Sequence, residues 1–329
     1  MSIVGIRKEA VEIEGCIASF EQEMLDIIDN VEEYSKRRGE QGGILTGFPL
    51  FDWATDGLQP GLTLFGGQAN SGKTGVMMQM AWACSRIESN NAYALYFSLD
   101  DPSFDTIPRV IACDQQLPIN SVRFPGRNDN KKEKWKRQLG VKRLRDNIKH
   151  FKVYDQNQGS SIDFIVETVK QHVINLEAAG DGRRLVIFID GFHEIDTEGD
   201  LDSNSKQEFL AKALDKLSNK YMCPVVCSCE LKKYDNPHKK PSLADFKGAV
   251  KLIYKSKLCC VVYNEVGIKK DAAKCFHVRE GVQGKQPVLE LDFCKNKFTS
   301  FKGNLYYKFF PEMSYLEEIP RDEVGDYKI

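Results

Sequence analysis

The chain has 329 residues, 42% hydrophobic and 28% charged, with a formal net charge of −1. That profile is globular, long enough for one large domain or two small ones with a sizeable core, and it excludes bulk electrostatic attraction to nucleic acid or an anionic surface; such binding has to come from local patches. The N-terminus has no apolar run of signal-peptide length, and no stretch approaches the roughly 18 consecutive apolar residues of a membrane span, so neither secretion nor a membrane partner is expected and the location is read as cytoplasmic.

In chain order, residues 17–38 read as an amphipathic helix, with Phe20, Met24, Ile27 or Ile28, Val31 and Tyr34 recurring at helical spacing. Its opposite face is acidic, and it closes on Lys36, Arg37 and Arg38 before Gly39, Gly42 and Gly43 break it. Periodicity alone leaves two roles open: packing on its own domain, or docking on a neighbouring subunit. From about residue 44 strand and helix patterns alternate. LTLF (62–65) is a strand, 73–86 a helix and 92–99 a strand; a mostly helical stretch then runs to about 150 and carries Lys131, Lys132, Lys134, Lys136, Arg137, Lys142, Arg143 and Arg145. Residues 151–155 form a short strand, 163–179 a helix, 185–190 a strand apolar on both faces, 206–221 a helix, and 224–229 and 258–263 strands; 288–293 and 305–310 read as a closing hairpin. The alternation predicts an α/β fold with a largely parallel sheet flanked by helices. Of the ten cysteines, Cys223, Cys227 and Cys229 lie in a strand-like run without CxxC spacing, so buried reduced thiols are expected rather than a metal site.

The chemistry concentrates at Gly67-Gln68-Ala69-Asn70-Ser71-Gly72-Lys73-Thr74, which follows a strand and opens a helix. The glycines let backbone N–H groups close around phosphate oxygens, and the helix N-terminus adds partial positive charge. Lys73 is positioned for the terminal phosphates and Thr74 for magnesium, so the expected ligand is ATP with Mg2+. Asp190, ending the apolar strand 185–190, is the expected second magnesium support, acting through water.

Asp100 ends the strand after the phosphate-loop helix; it either positions the attacking water or, with Asp101, caps a helix ahead of Pro102. Glu230 directly follows strand 224–229, as a sensor of the terminal phosphate or as a solvated loop acid. Lys295 and Lys297, between the last two strands, offer cations to a phosphate in cis or across a subunit boundary, or simply occupy a hairpin turn. The loop 191–204 is acidic, with Glu194, Asp196, Glu198, Asp200 and Asp202; His193 within it reads as a plain loop histidine. The loop 231–247 is basic, with Lys232, Lys233, Lys239, Lys240 and Lys247 able to line a path for single-stranded DNA.

These motifs together resemble the motor domain of DnaB-type replicative helicases. Thr46-Gly47-Phe48-Pro49-Leu50-Phe51-Asp52 followed by Asp56-Gly57-Leu58-Gln59-Pro60-Gly61 is similar to their TGF-x-x-LD…GL-x-x-G opening. Phe97-Ser98-Leu99-Asp100 resembles their FSLE, Val225 to Leu231 their VV-x-x-SQL, and Pro241 to Lys247 the P-x-x-SDLR that follows. Cys294 to Thr299 with Gly303 resembles the K-x-R…G segment, and more closely the CRFTG-like segment of phage ring helicase–primases.

The likeness spans about 44–318 and implies a RecA-like P-loop NTPase with a C-terminal β-hairpin, in a phage-like stand-alone form. It also implies a homo-oligomeric ring, usually hexameric, with ATP at subunit interfaces, single-stranded DNA in the channel, and primase or other replication proteins as further partners. Residues 1–43 then form an N-terminal segment whose helix is similar to the linker that docks on a neighbour, and 44–329 the ATPase domain; no collar or primase domain is expected ahead of it. The departures bear on turnover. The family's catalytic Glu falls on Asp100, one methylene shorter. Its phosphate-sensing Gln falls on Glu230, and its trans-acting Arg on Lys297, which cannot form a bidentate fork. Two functions are therefore carried forward: a ring-forming ATPase that translocates on single-stranded DNA and unwinds duplex in replication, and a nucleotide-gated assembly or loader ATPase with slow hydrolysis.

Overall fold

The computed structural model describes residues 21–22, 24–26, 28–29, 42–127, 130–199, 202–232, 239–246, 250–277 and 284–323. The chain forms two compact units, 1–43 and 44–329. Within the first, the described residues between 21 and 29 are helical; the remainder of the amphipathic pattern at 17–38 lies outside the described residues.

The second unit is built on one sheet. Six strands, β1 (Gly61–Gly67), β2 (Ala92–Ser98), β3 (Phe151–Asp155), β4 (Arg184–Asp190), β5 (Pro224–Glu230) and β6 (Leu258–Asn264), run parallel in the spatial order β6-β1-β5-β4-β2-β3. Beyond β6 the direction reverses: β8 (Gln286–Asn296), β9 (Asn304–Phe310) and β10 (Tyr315–Glu318) follow as an antiparallel extension, and the two-residue β7 (Phe276–His277) pairs with β8.

The apolar strand runs are explained by burial on both faces. Side chains alternate across a strand, so Val186 and Phe188 of β4 enter one core layer while Leu185, Ile187 and Ile189 enter the other. The first layer is completed by the helix Lys73–Arg86, the second by the helices Ile162–Ala178 and Ser203–Tyr221. Within 44–329 the expected strands and long helices all occur, with ends shifted by at most a few residues.

The helical stretch between β2 and β3 resolves into Ser103–Gln115, Ile119–Arg123 and Lys131–Asp146. Several elements are too short to carry a periodic signal in the sequence: the helices Pro49–Thr55, Val250–Lys255 and Glu265–Lys269, and strands β7 and β10. Cys223, Cys227 and Cys229 are buried in or beside β5 without a disulfide, and burial pushes the Cys223 thiol up to about 12. Among the described residues no group of three or more His, Cys, Asp or Glu side chains is fit to hold a metal, and no helix is long and apolar enough to cross a membrane.

Candidate nucleotide site

The parallel strands deliver their C-terminal ends to one edge of the sheet, and the site assembles there. β1 ends at Gly67, the loop 68–72 follows, and the helix Lys73–Arg86 begins with Gly72 as its N-cap at φ +100°, a left-handed geometry that favours glycine. The loop is drawn tightly around its own backbone. A Cβ on Gly67 would fall 2.2 Å from Ser71 Oγ and 3.0 Å from the Val262 carbonyl oxygen, so only glycine fits there.

Lys73 Nζ donates to the carbonyls of Gly67 (2.9 Å) and Gln68 (3.0 Å), folding back over the loop. Burial holds its pKa below the ordinary lysine value, against the opposing pull of Asp190, Asp100 and Glu230. Ser71 Oγ is buried without a hydrogen-bond partner, and Thr74 is half-buried one residue past the lysine. An orphaned hydroxyl inside a glycine-lined loop at a helix N-terminus is what an anionic ligand with many oxygens would satisfy.

Asp190 is 1% exposed and is fixed on both oxygens. Ser228 Oγ donates to Oδ1 at 2.7 Å, and Tyr96 Oη to Oδ2 at 2.9 Å. The same Ser228 oxygen accepts from the Gly191 N–H at 2.7 Å, so β2, β4 and β5 converge on one carboxylate. The residues fit magnesium in a specific sense. They offer the Thr74 hydroxyl and one fixed carboxylate rather than a full protein cage, which suits an ion that keeps waters and arrives with a triphosphate.

Asp100 lies just past β2, next to Asp190: Ser98 pairs in register with Asp190, and the Leu99 N–H donates to the Asp190 carbonyl. Although the residue is exposed, partial burial of its carboxyl, reinforced by the charges of Asp190 and Glu194, raises its pKa to about 6. Gly191 makes room for it, at φ +108° and with a would-be Cβ 3.2 Å from Asp100 Oδ1. The capping alternative for Asp100 and Asp101 is not what the structure does. Pro102 is the N-cap of Ser103–Gln115, Asp155 of β3 accepts the Ser103 N–H at 2.7 Å, and Asp101 pairs with Arg109. Glu230 is exposed at the end of β5, in register with Gly67.

The basic loop is attached to this edge at both ends. Leu231 bridges Phe246, the Lys232 N–H donates to the Asp245 carbonyl at 2.8 Å, and the Phe246 ring lies directly over Gly66. Lys232 is exposed; Lys239 Nζ stands 3.7 Å from Asp245, and Lys240 Nζ pairs with the buried Glu290 at 2.6 Å. Lys233 and Lys247 lie outside the described residues.

Lys295 and Lys297 are not brought to this site. Both sit where β8 passes the N-terminal end of β6: Lys295 opposite Cys259, and Lys297 donating its N–H to the Lys257 carbonyl at 2.8 Å. Lys257 in turn is level with Leu62 of β1, so about 16 Å of strand separates this level from Gly67. Within one copy of the chain the two lysines and the phosphate loop therefore occupy opposite edges of the sheet.

Sequence patterns give no notice of the supporting residues. Ser228 is visible only as a position inside a family-like run, and nothing local marks Tyr96, Gly191 or Asp155 for the contacts they make.

A phosphate loop at the C-terminal edge of a parallel sheet, with a fixed carboxylate on β4, one strand removed from β1 across β5, defines a RecA-like P-loop NTPase domain. The sequence profile of the DnaB-like helicase C-terminal domain matches residues 43–302, and the chain belongs to that family. Among solved structures, the fold is similar to one described as an ATPase domain, with a TM-score of 0.74 and 16% identity over 91% of this chain and 98% of that one. It is also similar to a DnaB-like replicative helicase solved in a study of its interactions with primase, with a TM-score of 0.72 and 17% identity over 89% of this chain and 66% of that one. No curated protein matches the sequence.

Proposed function

We propose that the protein is a ring-forming, magnesium-dependent ATPase that couples ATP hydrolysis to movement on single-stranded DNA and to duplex unwinding in replication. The observation that carries this reading is the division of the candidate groups between two opposite edges of one sheet. Lys73, Thr74, Asp190, Asp100 and Glu230 gather at one edge, whereas Lys295 and Lys297 stand at the other. A site that uses both sets needs two copies of the chain, each presenting a different edge.

In this reading the Gly67–Thr74 loop binds the triphosphate, and Lys73 releases its own carbonyls to reach the terminal phosphates. Thr74 and Asp190 hold magnesium, which neutralises phosphate charge when bound. Asp100 orients the water and accepts its proton, a role suited to a carboxylate with a pKa near 6. Glu230, in register with Gly67, links the phosphate end of the site to the loop that begins at Leu231. Lys232, Lys233, Lys239, Lys240 and Lys247 bring that loop to the DNA backbone, repeated around the ring. Residues 1–43 serve as the linker to a neighbouring copy, 44–329 as the motor, and primase or another replication protein is a further partner.

The second reading is a nucleotide-gated assembly or loader ATPase that turns over slowly. The shorter Asp100, the anionic Glu230 and the lysine at 297 favour it. Measuring ATPase with and without single-stranded DNA separates the two. A motor's turnover rises several-fold with DNA, and a turnover indifferent to DNA rejects the motor.

A further inference from the structure

The edge of the sheet opposite the phosphate loop carries three lysines close together: Lys257, Lys295 and Lys297. Their neighbours on the helix Val250–Lys255 are neutralised, Lys251 by Glu208 and Lys255 by Asp215 at 2.8 Å. Among the described residues no carboxylate stands within ion-pair distance of the three. They are near enough that Lys297 and Lys257, after burial, help to depress the Lys295 pKa. Like charges held together without a counter-ion are unfavourable unless an anion visits them.

The three are not equivalent. Lys295 Nζ is turned onto the carbonyls of Ile253 and Tyr254, closing the C-terminus of the short helix, and is thereby occupied. Lys257 and Lys297 are both exposed. Lys257 is held firmly: its N–H donates to the Leu62 carbonyl at 2.8 Å, and its carbonyl accepts from the Lys297 N–H at 2.8 Å. Its aliphatic stem lies across Gly61, whose φ is +129° and whose Cβ, if present, would fall 2.4 Å from Lys257 Cγ. A stem laid along a glycine, between two backbone hydrogen bonds, presents its ammonium at little further entropic cost.

We propose that Lys257 pairs with Lys297 as a two-ammonium clamp on a phosphate group of the nucleoside triphosphate bound by the next copy of the chain. A single lysine cannot reproduce the two parallel donors of a guanidinium; two ammonium groups held side by side can engage two phosphate oxygens. Lys295 then supports the clamp by fixing the helix beside it. This inference rests on the ring-forming ATPase reading and assigns it a residue.

The test uses the full chain and three variants: Lys257→Met, which keeps the stem and removes the charge, Lys257→Arg, and Lys73→Ala. Steady-state ATPase is measured across protein concentrations that span assembly. Lys257→Met is expected to lower kcat at least tenfold with KM changed less than threefold, and Lys257→Arg to regain most of it. Because the clamp and the phosphate loop belong to different copies, mixing Lys257→Met with Lys73→Ala restores turnover above the sum of the two alone. A Lys257→Met variant as active as wild type, or one impaired but without complementation, overturns the proposal. If wild type assembles with ATPγS but barely turns over, the readout becomes the midpoint of that assembly. Lys257→Met then shifts it at least tenfold in protein concentration, and an unchanged midpoint overturns the clamp. Wild type that neither assembles nor turns over refutes the ring reading itself, a result distinct from a failed clamp.

Discussion

Ser228→Ala isolates the device that fixes Asp190. Ser228 is 1% exposed, its hydroxyl donates to Asp190 Oδ1 at 2.7 Å, and its oxygen accepts from the Gly191 N–H at 2.7 Å. Removing that one oxygen leaves a buried carboxylate oxygen and a buried N–H without their partner. A hydrogen bond to a charged group contributes about 1.5–3 kcal/mol, and an orphaned buried polar group costs about 1–3 kcal/mol. Allowing for relaxation, about 3 kcal/mol is expected, which in a domain of this size lowers Tm by about 5 °C. Calorimetry without nucleotide measures it. Tyr96→Phe removes the donor to the other oxygen, and because both variants act through Asp190 their effects are not additive; a double-mutant cycle reports a coupling of about 0.5–3 kcal/mol. Magnesium-dependent ATP affinity falls by about tenfold in Ser228→Ala, since the carboxylate loses its fixed orientation. A Tm within about 1 °C of wild type, or strict additivity with Tyr96→Phe, refutes the account of Ser228 as the keystone of this edge.

Lys73→Ala is expected to abolish ATPase and unwinding in the corresponding assays; unwinding that persists contradicts the mechanism. Asp100 sets a pH dependence: with its pKa raised to about 6, the base form is lost as pH falls through that value, so the pH–rate profile drops about tenfold per unit below about 6. Asp100→Asn lowers kcat by a factor of about 10² or more, measured at pH 8 where wild type is fully ionised. Asp52 has a pKa raised in the same direction, and its consequence is read in stability. Burial raises its pKa to about 6 despite hydrogen bonds from Thr46 and Gly47, so the stability present below the unfolded value near 3.8 is lost as pH rises through about 6. The Tm of Asp52→Asn relative to wild type therefore becomes more favourable between pH 5 and pH 7, and a flat or opposite trend in thermal melts rejects the burial assignment. Gly191→Ala, forced to φ +108° with its Cβ against Asp100, lowers both Tm and turnover, read by calorimetry and steady-state kinetics.

The architecture divides stability from chemistry. Both core layers are apolar and lie on the two faces of the sheet, while the groups that meet phosphate sit at strand ends. That placement follows from parallel strands, whose C-terminal ends all face one way. Asp155 belongs to the same edge, its carboxylate capping the helix that follows Asp100 and its pKa held low first by the Ser103 hydrogen bond.

The local elements and the phosphate loop are legible in the chain without its fold. The helix from Lys73, the strand ending at Asp190 and the glycines at 67 and 72 are written in short-range patterns, because strand alternation, helix periodicity and turn geometry depend on neighbouring residues. The family follows from the order of such motifs. Which distant residues meet is settled by the folded chain alone. Tyr96, Asp190 and Ser228 come from three strands, and their convergence depends on strand order and register, which no local pattern encodes. The same holds for the capping of Ser103 by Asp155 and for the distance between Lys297 and the phosphate loop. Sequence leaves open whether Lys295 and Lys297 act on their own nucleotide or a neighbour's. The reversal of direction between β6 and β8 sets them beside Lys257 and Leu62, at the far end of the strand that leads to Gly67.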